Sequence, residues 1–223
     1  MRRLTEDDKN FYLSSGNLTE PFLDNDFVLE RVLCDYNSKR EKGVDITKID
    51  SLLSWIHTKT KFGDDEYIES HKFQHTAKEL WQSQKMTGCT DYALLFATFA
   101  RQIGIPTTIL HTAQDDWFLK FRQNGEAKHH MGHYFCECFY GDKWILVDPT
   151  FRKIKKEYNP NLLRLSYKVA GSSVYIPYDR SLDLEKKQSI LEHNQHMDEM
   201  CRNLAIDKDL EFALSKILQK RLQ

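Results

Sequence analysis

One cysteine in the sequence is placed where a thiol can become a nucleophile. Cys89 lies three residues before the start of the segment 92–103, whose apolar residues cover nearly every face of a helix. A helix that is apolar all round is a buried one, so the sequence predicts a buried helix that begins near Cys89. The backbone N–H groups and the dipole at that end lower the pKa of a thiol. The same N–H groups can stabilise an oxyanion.

A histidine and an aspartate are predicted to meet on one face of a β-hairpin. A two-residue turn of the Gly-X type at 141–142 separates two segments of strand composition. In the register that this turn sets, Asp148 faces Phe135. His133 lies two residues from Phe135 and therefore shares its face. His133 and Asp148 thus become diagonal neighbours, about 7–8 Å apart at the backbone.

These three side chains could form a thiol–imidazole–carboxylate relay. An aspartate that accepts a hydrogen bond from one imidazole nitrogen orients the other nitrogen toward a partner, here Cys89. Each residue also has a plainer structural explanation. Cys89 could be a buried helix-start cysteine, His133 a hydrogen-bonded core histidine, and Asp148 the cap of a turn before Pro149. The shared face of His133 and Asp148 favours the relay.

Hydrophobic periodicity indicates the elements that would position the relay. The sequence predicts helices over 26–40, 47–59, 73–84 and 89–103, strands over 107–111, 132–140, 143–147 and 172–178, and a helical tail from Leu182 with an apolar stripe over 210–218. The polar segment 115–131 is expected to be a loop. Thr47 is predicted to cap its helix with Asp50 three residues on, and Gly104 to end the helix of Cys89. Helices, then strands, then helices indicate an α+β fold.

Composition excludes several classes of protein. The chain has 223 residues, 32 Lys and Arg against 33 Asp and Glu, and a formal net charge of −1. This balance does not support a general binder of nucleic acid or anionic membrane. The apolar stretches are far shorter than the roughly 20 residues of a membrane span, and the N-terminus lacks the apolar run of a secretory signal. We therefore expect a cytoplasmic protein with reduced cysteines.

A metal site is the main alternative use of the remaining cysteines. Cys136 and Cys138, with His129, His130 or Cys201, would be its ligands. The Cys-x-Cys spacing on a strand is not that of a structural zinc knuckle, and the HHxxH string at 129–133 lacks the glutamate and helix of a metalloprotease. We expect two thiols packed into a core layer, with no metal and no cofactor.

Taken in order, the motifs resemble the core of the transglutaminase-like superfamily. GCTDYALLFATFARQIGIP (88–106) is followed by GHYFCECFYGDKWILVDPT (132–150). The shared pattern is a Gly-Cys helix start, a helix that ends in Gly-Ile-Pro, a His-x-aromatic-x-Glu strand, and then Trp and Asp-Pro-Thr. The family often has Trp in place of Phe135 and Val in place of Cys138. Only the ordered combination is specific, and it covers about residues 45–151.

The resemblance implies a role for each residue of the relay. Cys89 would be the nucleophile, His133 the general base and Asp148 the orienting carboxylate. It also implies a transglutaminase-like or papain-like core (45–151), in which the helix of Cys89 packs on an antiparallel sheet. Residues 1–44 would form an N-terminal helical extension and 152–223 a C-terminal strand and helical extension. In the family an upstream donor can complete the oxyanion hole, and the candidates in this chain are Trp55, Trp81 and Gln84.

The resemblance leaves three functions open. Members of the superfamily attack an amide carbonyl with a thiolate and form an acyl-enzyme. The leading hypothesis is a cysteine protease or amidase that acts on a protein or peptide substrate. The alternatives are an acyltransferase that cross-links proteins or transfers the acyl group to an amine, and a non-catalytic binding module. Hydrolysis is favoured because the chain lacks the length for the accessory β-sandwich domains of animal cross-linkers and shows no acidic calcium loop. The sequence sets neither the substrate nor the oligomeric state.

Overall fold

The structure is a computed structural model that describes residues 4–124, 131–161, 165–169, 172–184 and 190–204. The described helices are α1 (Glu6–Leu13), α2 (Asn25–Glu41), α3 (Lys48–Lys59), α4 (Asp65–His71), α5 (Ala77–Ser83), α6 (Cys89–Gln102), α7 (Asp115–Asn124) and α8 (Ile190–Leu204). The described strands are β1 (Lys61–Phe62), β2 (Lys85–Met86), β3 (Thr107–Gln114), β4 (Gly132–Tyr140), β5 (Lys143–Asp148), β6 (Lys153–Lys155), β7 (Leu165–Val169) and β8 (Ser172–Ser181).

Six of the strands form one antiparallel sheet in the order β6-β5-β4-β3-β8-β7. The predicted hairpin register is confirmed, because Tyr140 pairs with Lys143. Both turn residues have positive φ, 59° at Gly141 and 61° at Asp142. This is the type I′ pattern rather than the Gly-X type that the leading glycine suggested. Aspartate can replace a second glycine here because its short side chain tolerates the left-handed region.

Helix α6 lies at the centre of the fold, as its all-round apolar sequence predicts. Its residues from Thr90 to Arg101 are all buried. One face of the sheet packs against this helix through Tyr134, Cys136 and other residues of β4 and β5, while the opposite face carries a second core cluster around Phe135. The helix ends as expected, with Gly104 in the left-handed region at φ +78°. The predicted α+β class, with a central helix on an antiparallel sheet, is confirmed.

Helices α2 and α3 confirm the two predicted near the N-terminus. Thr47 caps α3, and its side chain and that of Asp50 form the expected capping box. Of the predicted 73–84 helix, only Ala77–Ser83 is helical. Phe73 has φ +65°, which interrupts the helical backbone between α4 and α5.

The prediction of a loop over 115–131 is wrong for its first ten residues. Helix α7 occupies Asp115–Asn124 and follows β3 without a linker. Trp117, Phe118 and Leu119 are buried, and burial of this short apolar run offsets the polarity of the rest of the segment.

The structure tests some of the predictions for the remainder of the chain and leaves others as predictions. Helix α8 gives helical structure after Leu182, whereas the predicted stripe at 210–218 lies outside the described residues. The division into 1–44, 45–151 and 152–223 stays a prediction. Within the described ranges, the helices are too short or too polar to cross a membrane.

Candidate active site

Cys89 is the first residue of α6, at a helix end that carries no side-chain cap. The N-cap residue is Gly88, which makes no capping hydrogen bond. The carboxylate of Asp91 instead turns back and accepts hydrogen bonds from Thr87, at 2.6 Å from its backbone nitrogen and 2.8 Å from its hydroxyl. The side chains at the helix start therefore leave its first N–H groups to other acceptors. A Cβ at Gly88 would have no atom within 4 Å, so the space beside Cys89 is open.

The sulfur of Cys89 lies at the start of β4. Strand β5 pairs with β4 from Tyr140 back to Cys136, and the sulfur accepts a hydrogen bond from the backbone N–H of Tyr134 just beyond that point. A backbone N–H next to the end of the β4–β5 ladder therefore interacts with the sulfur at the helix start. No side-chain motif in the sequence reveals this donor.

His133 is held on β4 by close contact with β3. It pairs with Thr112, whose hydroxyl donates to the backbone oxygen of His133 at 2.7 Å. Its neighbour Gly132 approaches β3 so closely that a Cβ there would lie 2.3 Å from the backbone oxygen of Thr112. Glycine is therefore required at 132 for His133 to keep its place.

The structure brings His133 and Asp148 into direct contact. The Nε2 atom of His133 lies 3.1 Å from Oδ1 of Asp148. With 5% and 0% of their surfaces exposed, both residues are buried. Because Nε2 is engaged by the carboxylate, the other ring nitrogen is left for the hydrogen bond that joins His133 to Cys89. The three residues singled out in the sequence thus lie in one hydrogen-bonded series.

Asp148 caps the turn that follows β5 in addition to its contact with His133. Its Oδ1 atom also accepts hydrogen bonds from the backbone nitrogens of Thr150 and Phe151, each at 3.1 Å. The structural explanation for Asp148, a turn cap, therefore holds together with the contact to His133. Three donors on one buried oxygen keep this carboxylate in place.

The charges of the cysteine and histidine support each other. Burial by itself would raise the pKa of Cys89, but the hydrogen bond and charge of His133, with the N–H of Tyr134, lower it overall. Burial by itself would lower the pKa of His133, but hydrogen bonds to Asp148 and Cys89 raise it to about 9. These opposite shifts favour a thiolate–imidazolium pair.

Tyr167 is a residue of the site that the sequence did not indicate. Its hydroxyl and the Oδ2 atom of Asp148 are both buried and have no hydrogen-bond partner at normal distance among the described residues. Burial, followed by the charge and proximity of Asp148, raises the pKa of this tyrosine. Its ring packs edge-on against Phe135, with centroids 5.0 Å apart. The pairing of β7 with β8, and of β8 with β3, brings it here, and no local motif records that pairing.

His57 ties the Asp148 turn to two helices and was also missed. Its Nε2 atom lies 2.7 Å from the backbone oxygen of Pro149, so this nitrogen carries the proton and donates. Its ring stacks on Tyr92 of α6, with centroids 4.6 Å apart and planes 8° apart. Burial is the main reason that the pKa of His57 is lowered.

Glu137, the glutamate of the strand motif, has a structural position. It is buried and accepts from Nε of Arg180 on β8 at 2.9 and 3.1 Å, and from the hydroxyl of Tyr158. It lies four residues from His133 along β4, about 13 Å away. This ion pair, which is buried at Glu137 and 39% exposed at the Arg180 side chain, connects β4 with a strand that is not its neighbour in the sheet.

The three candidates for an upstream oxyanion donor are not beside Cys89. The rings of Trp55 and Trp81 pack against each other at a tilt of 54° with centroids 4.8 Å apart, and each lies 5.0 Å from the ring of Phe99. Phe99 is ten residues along α6 from Cys89, about 15 Å away. Gln84 lines the same surface groove as the two tryptophans. Aromatic packing explains both tryptophans.

Cys136 and Cys138 pack in the core layer against α6, as expected. The thiol of Cys136 lies 3.6 Å from the backbone oxygen of Ala93, and that of Cys138 lies 3.6 Å from the hydroxyl of Thr107. Burial raises the pKa of both thiols, which opposes the thiolate form that zinc requires. The other proposed ligands, His129, His130 and the side chain of Cys201, lie outside the described residues. The described part of the chain contains no group of three His, Cys, Asp or Glu side chains arranged to hold a metal ion.

Comparison with known protein families matches residues 36–149, just over half of the chain, to the transglutaminase-like superfamily. The chain belongs to this superfamily. The resemblance drawn from the two motifs is thereby confirmed. Cys89, His133 and Asp148 all lie inside the superfamily match, whereas Tyr167 and Arg180 lie beyond it.

Among solved structures, the chain is similar to the crystal structure of a candidate cysteine protease from Cytophaga hutchinsonii. The identity is 16% and the TM-score 0.43, over 83% of this chain and 60% of that one. The chain thus spans about 60% of the length of that protein. The comparison with curated proteins gave no significant match.

Proposed function

We propose that the protein is a cysteine protease or amidase that cleaves an amide bond of a protein or peptide through an acyl-enzyme on Cys89. The observation that carries the proposal is the hydrogen-bonded series Cys89–His133–Asp148 at the start of a buried helix. Membership of the transglutaminase-like superfamily supports cysteine-dependent chemistry.

In the first half of the reaction the Cys89 thiolate attacks the substrate carbonyl carbon. A C–S bond forms and the carbonyl electrons move to oxygen, which becomes an oxyanion. No side chain caps the first turn of α6, so its N–H groups are available to donate to such an oxyanion. The His133 imidazolium then gives its proton to the leaving nitrogen as the C–N bond breaks.

In the second half water releases the acyl group. Neutral His133 takes a proton from water, the resulting hydroxide attacks the thioester carbonyl, and the C–S bond breaks to restore the thiolate. Throughout, Asp148 holds the ring by its Nε2 atom and stabilises the imidazolium. Acyl transfer to an amine shares all steps up to the acyl-enzyme. The alternative acyltransferase would differ in using an amine in place of water to attack the thioester. The intact relay opposes a purely non-catalytic role.

Activity-based labelling tests this proposal. A panel of peptides with electrophilic warheads and a panel of peptide amides would be incubated with the protein, with Cys89→Ala as the inactive reference. Mass spectrometry should find the warhead on Cys89 and not on the exposed Cys34. Added amines, detected as amide products, distinguish transfer from hydrolysis. Labelling of Cys34 ahead of Cys89, or turnover that survives Cys89→Ala, would contradict the proposal.

A further inference from the structure

A cavity of about 190 Å³ lies beside the helix start that carries Cys89. Thr90, the residue after Cys89, forms part of one wall. The sheet forms another wall through Tyr134, His111 and Asp179, which are paired side by side across β4, β3 and β8. Thr90 is the next residue after Cys89, and the N–H of Tyr134 donates to the Cys89 sulfur. The cavity that both residues line therefore lies next to the proposed nucleophile.

The size of the cavity limits its occupant. Sites for whole small molecules usually enclose about 300–1,000 Å³. A volume of about 190 Å³ suits one side chain of a larger substrate instead. The occupant is therefore expected to be part of a peptide whose backbone lies across Cys89.

The walls combine apolar sides with acidic groups. The apolar sides come from the loops and from α6, through Leu18, Phe73, Leu94 and Leu184. The acidic groups are Asp179 and Asp183, and the described residues that line the cavity include no lysine or arginine. With its histidines neutral, the cavity carries two negative charges.

The fold fixes both carboxylates in place. Asp183 accepts a hydrogen bond from the backbone nitrogen of Leu18 at 2.8 Å. Arg101 lies near enough for its pKa to respond to the charge of Asp183, so this charge is partly balanced. Asp179 has 36% of its side chain exposed, and its Oδ2 atom lies 3.6 Å from Nδ1 of His111. Asp179 therefore presents the larger share of the negative charge to an occupant.

We propose that this cavity binds a lysine or arginine side chain of the substrate, next to the amide that Cys89 attacks. The inference rests on the proposed function. Long basic side chains place an apolar stem against hydrophobic surface and a cationic head at a polar group. The leucine and phenylalanine walls suit such a stem, and Asp179 suits such a head. A negatively charged side chain would instead meet two carboxylates and, among the described residues that line the cavity, no lysine or arginine.

Covalent peptide probes test the cavity on the whole chain without knowledge of the natural substrate. The probes are acetylated dipeptidyl chloromethyl ketones that carry lysine, norleucine or glutamate at either of the two positions before the warhead. The rate of Cys89 labelling is followed by mass spectrometry at pH 7. At one position, we expect lysine to label about tenfold faster than norleucine, and glutamate to label slowest. About tenfold corresponds to about 1.4 kcal/mol of added stabilisation.

Charge variants identify the carboxylate responsible. Asp179→Asn should reduce the ratio of lysine to norleucine labelling at least about fivefold, and Asp179→Lys should turn the preference toward glutamate. Asp26→Asn, an exposed aspartate at the start of α2, is the matched control and should keep the wild-type ratio. Circular dichroism and the melting temperature show that each variant is folded.

The outcomes distinguish failure of the cavity assignment from failure of the proposed function. Equal labelling by lysine and norleucine probes, or a ratio unchanged in Asp179→Asn and Asp179→Lys, would overturn the cavity assignment and leave the thiol chemistry standing. If iodoacetamide alkylates Cys89 but every peptidyl probe fails to do so, peptide substrates themselves are excluded. The proposed function then falls together with the cavity assignment.

Discussion

Changing pH should separate the reactivity of Cys89 from that of an exposed thiol in the same molecule. An ordinary thiol has a pKa of about 8.5, so its thiolate fraction falls about 75-fold from pH 8 to pH 6. For Cys89, His133 lowers the thiol pKa, and the pKa of His133 itself is raised to about 9. His133 therefore stays largely protonated below pH 8, and the lowered pKa of Cys89 keeps more of it as thiolate there than in an ordinary thiol. The alkylation rate of Cys89 should therefore fall by clearly less than about 75-fold over the same range.

The assay compares two cysteines in one tube. Iodoacetamide is small enough to enter a partly covered site, and peptide mass spectrometry gives the labelling rate of Cys89 and of exposed Cys34 at each pH. The ratio of the two rates should rise as pH is lowered. A low-pKa thiolate is intrinsically a weaker nucleophile, so the shape of the profile is more diagnostic than the absolute rate.

Variants of the histidine test the cause of the effect. In His133→Ala the burial of Cys89 remains and its cationic partner is lost, so the rate should fall and become steeply dependent on pH. His71→Ala, at the end of α4, removes a histidine outside the relay and should leave the profile unchanged. Parallel profiles for Cys89 and Cys34 in the wild-type protein would refute the ion-pair reasoning.

Further predictions concern the other members of the site. Cys89→Ala should abolish turnover while the free energy of unfolding, measured by urea titration, changes by no more than about 1–2 kcal/mol. Asp148→Asn should reduce kcat by about 10²–10⁴-fold, because the hydrogen-bond shape remains and the charge is lost. His133→Ala combined with Cys89→Ala should be little worse than either alone, since a nucleophile and its base act as a unit; multiplicative losses in kcat would contradict this. Tyr167→Phe should shift the pH profile of Cys89 alkylation if its hydroxyl supports Asp148, whereas a role in packing alone would change the melting temperature and leave the profile in place.

The local parts of this structure were predictable because their signals lie in consecutive residues. The continuous apolar run after Cys89 determines a buried helix, and the two-residue turn determines which residues of β4 and β5 face each other. Given those two elements, the positions of His133 and Asp148 follow from the alternation of a strand. Sequence reasoning therefore reached the candidate relay without any knowledge of distant contacts.

The parts that escaped prediction depend on pairing between distant segments. Strand β8 enters the sheet beside β3, more than sixty residues earlier in the chain, and the register shifts between His111 and Thr112. That irregular pairing places Asp179 opposite His111 and brings Arg180 to Glu137. No periodicity within either segment specifies such a shift. Helix α7 escaped for a different reason, because three buried apolar residues are too few to stand out in a polar segment.

The relay, which was predicted, and the acidic residues of the cavity, which were not, form a proposed division of labour within the molecule. The proposed nucleophile, base and orienting carboxylate lie within residues 36–149, the part that matches the superfamily. Asp179 and Asp183, which would select the substrate side chain, follow that part. If this division holds, substitutions on β8 should change which probe reacts fastest while the pH profile of Cys89 stays constant. Substitutions at His133 should do the reverse, because they alter the thiolate and leave the cavity walls unchanged.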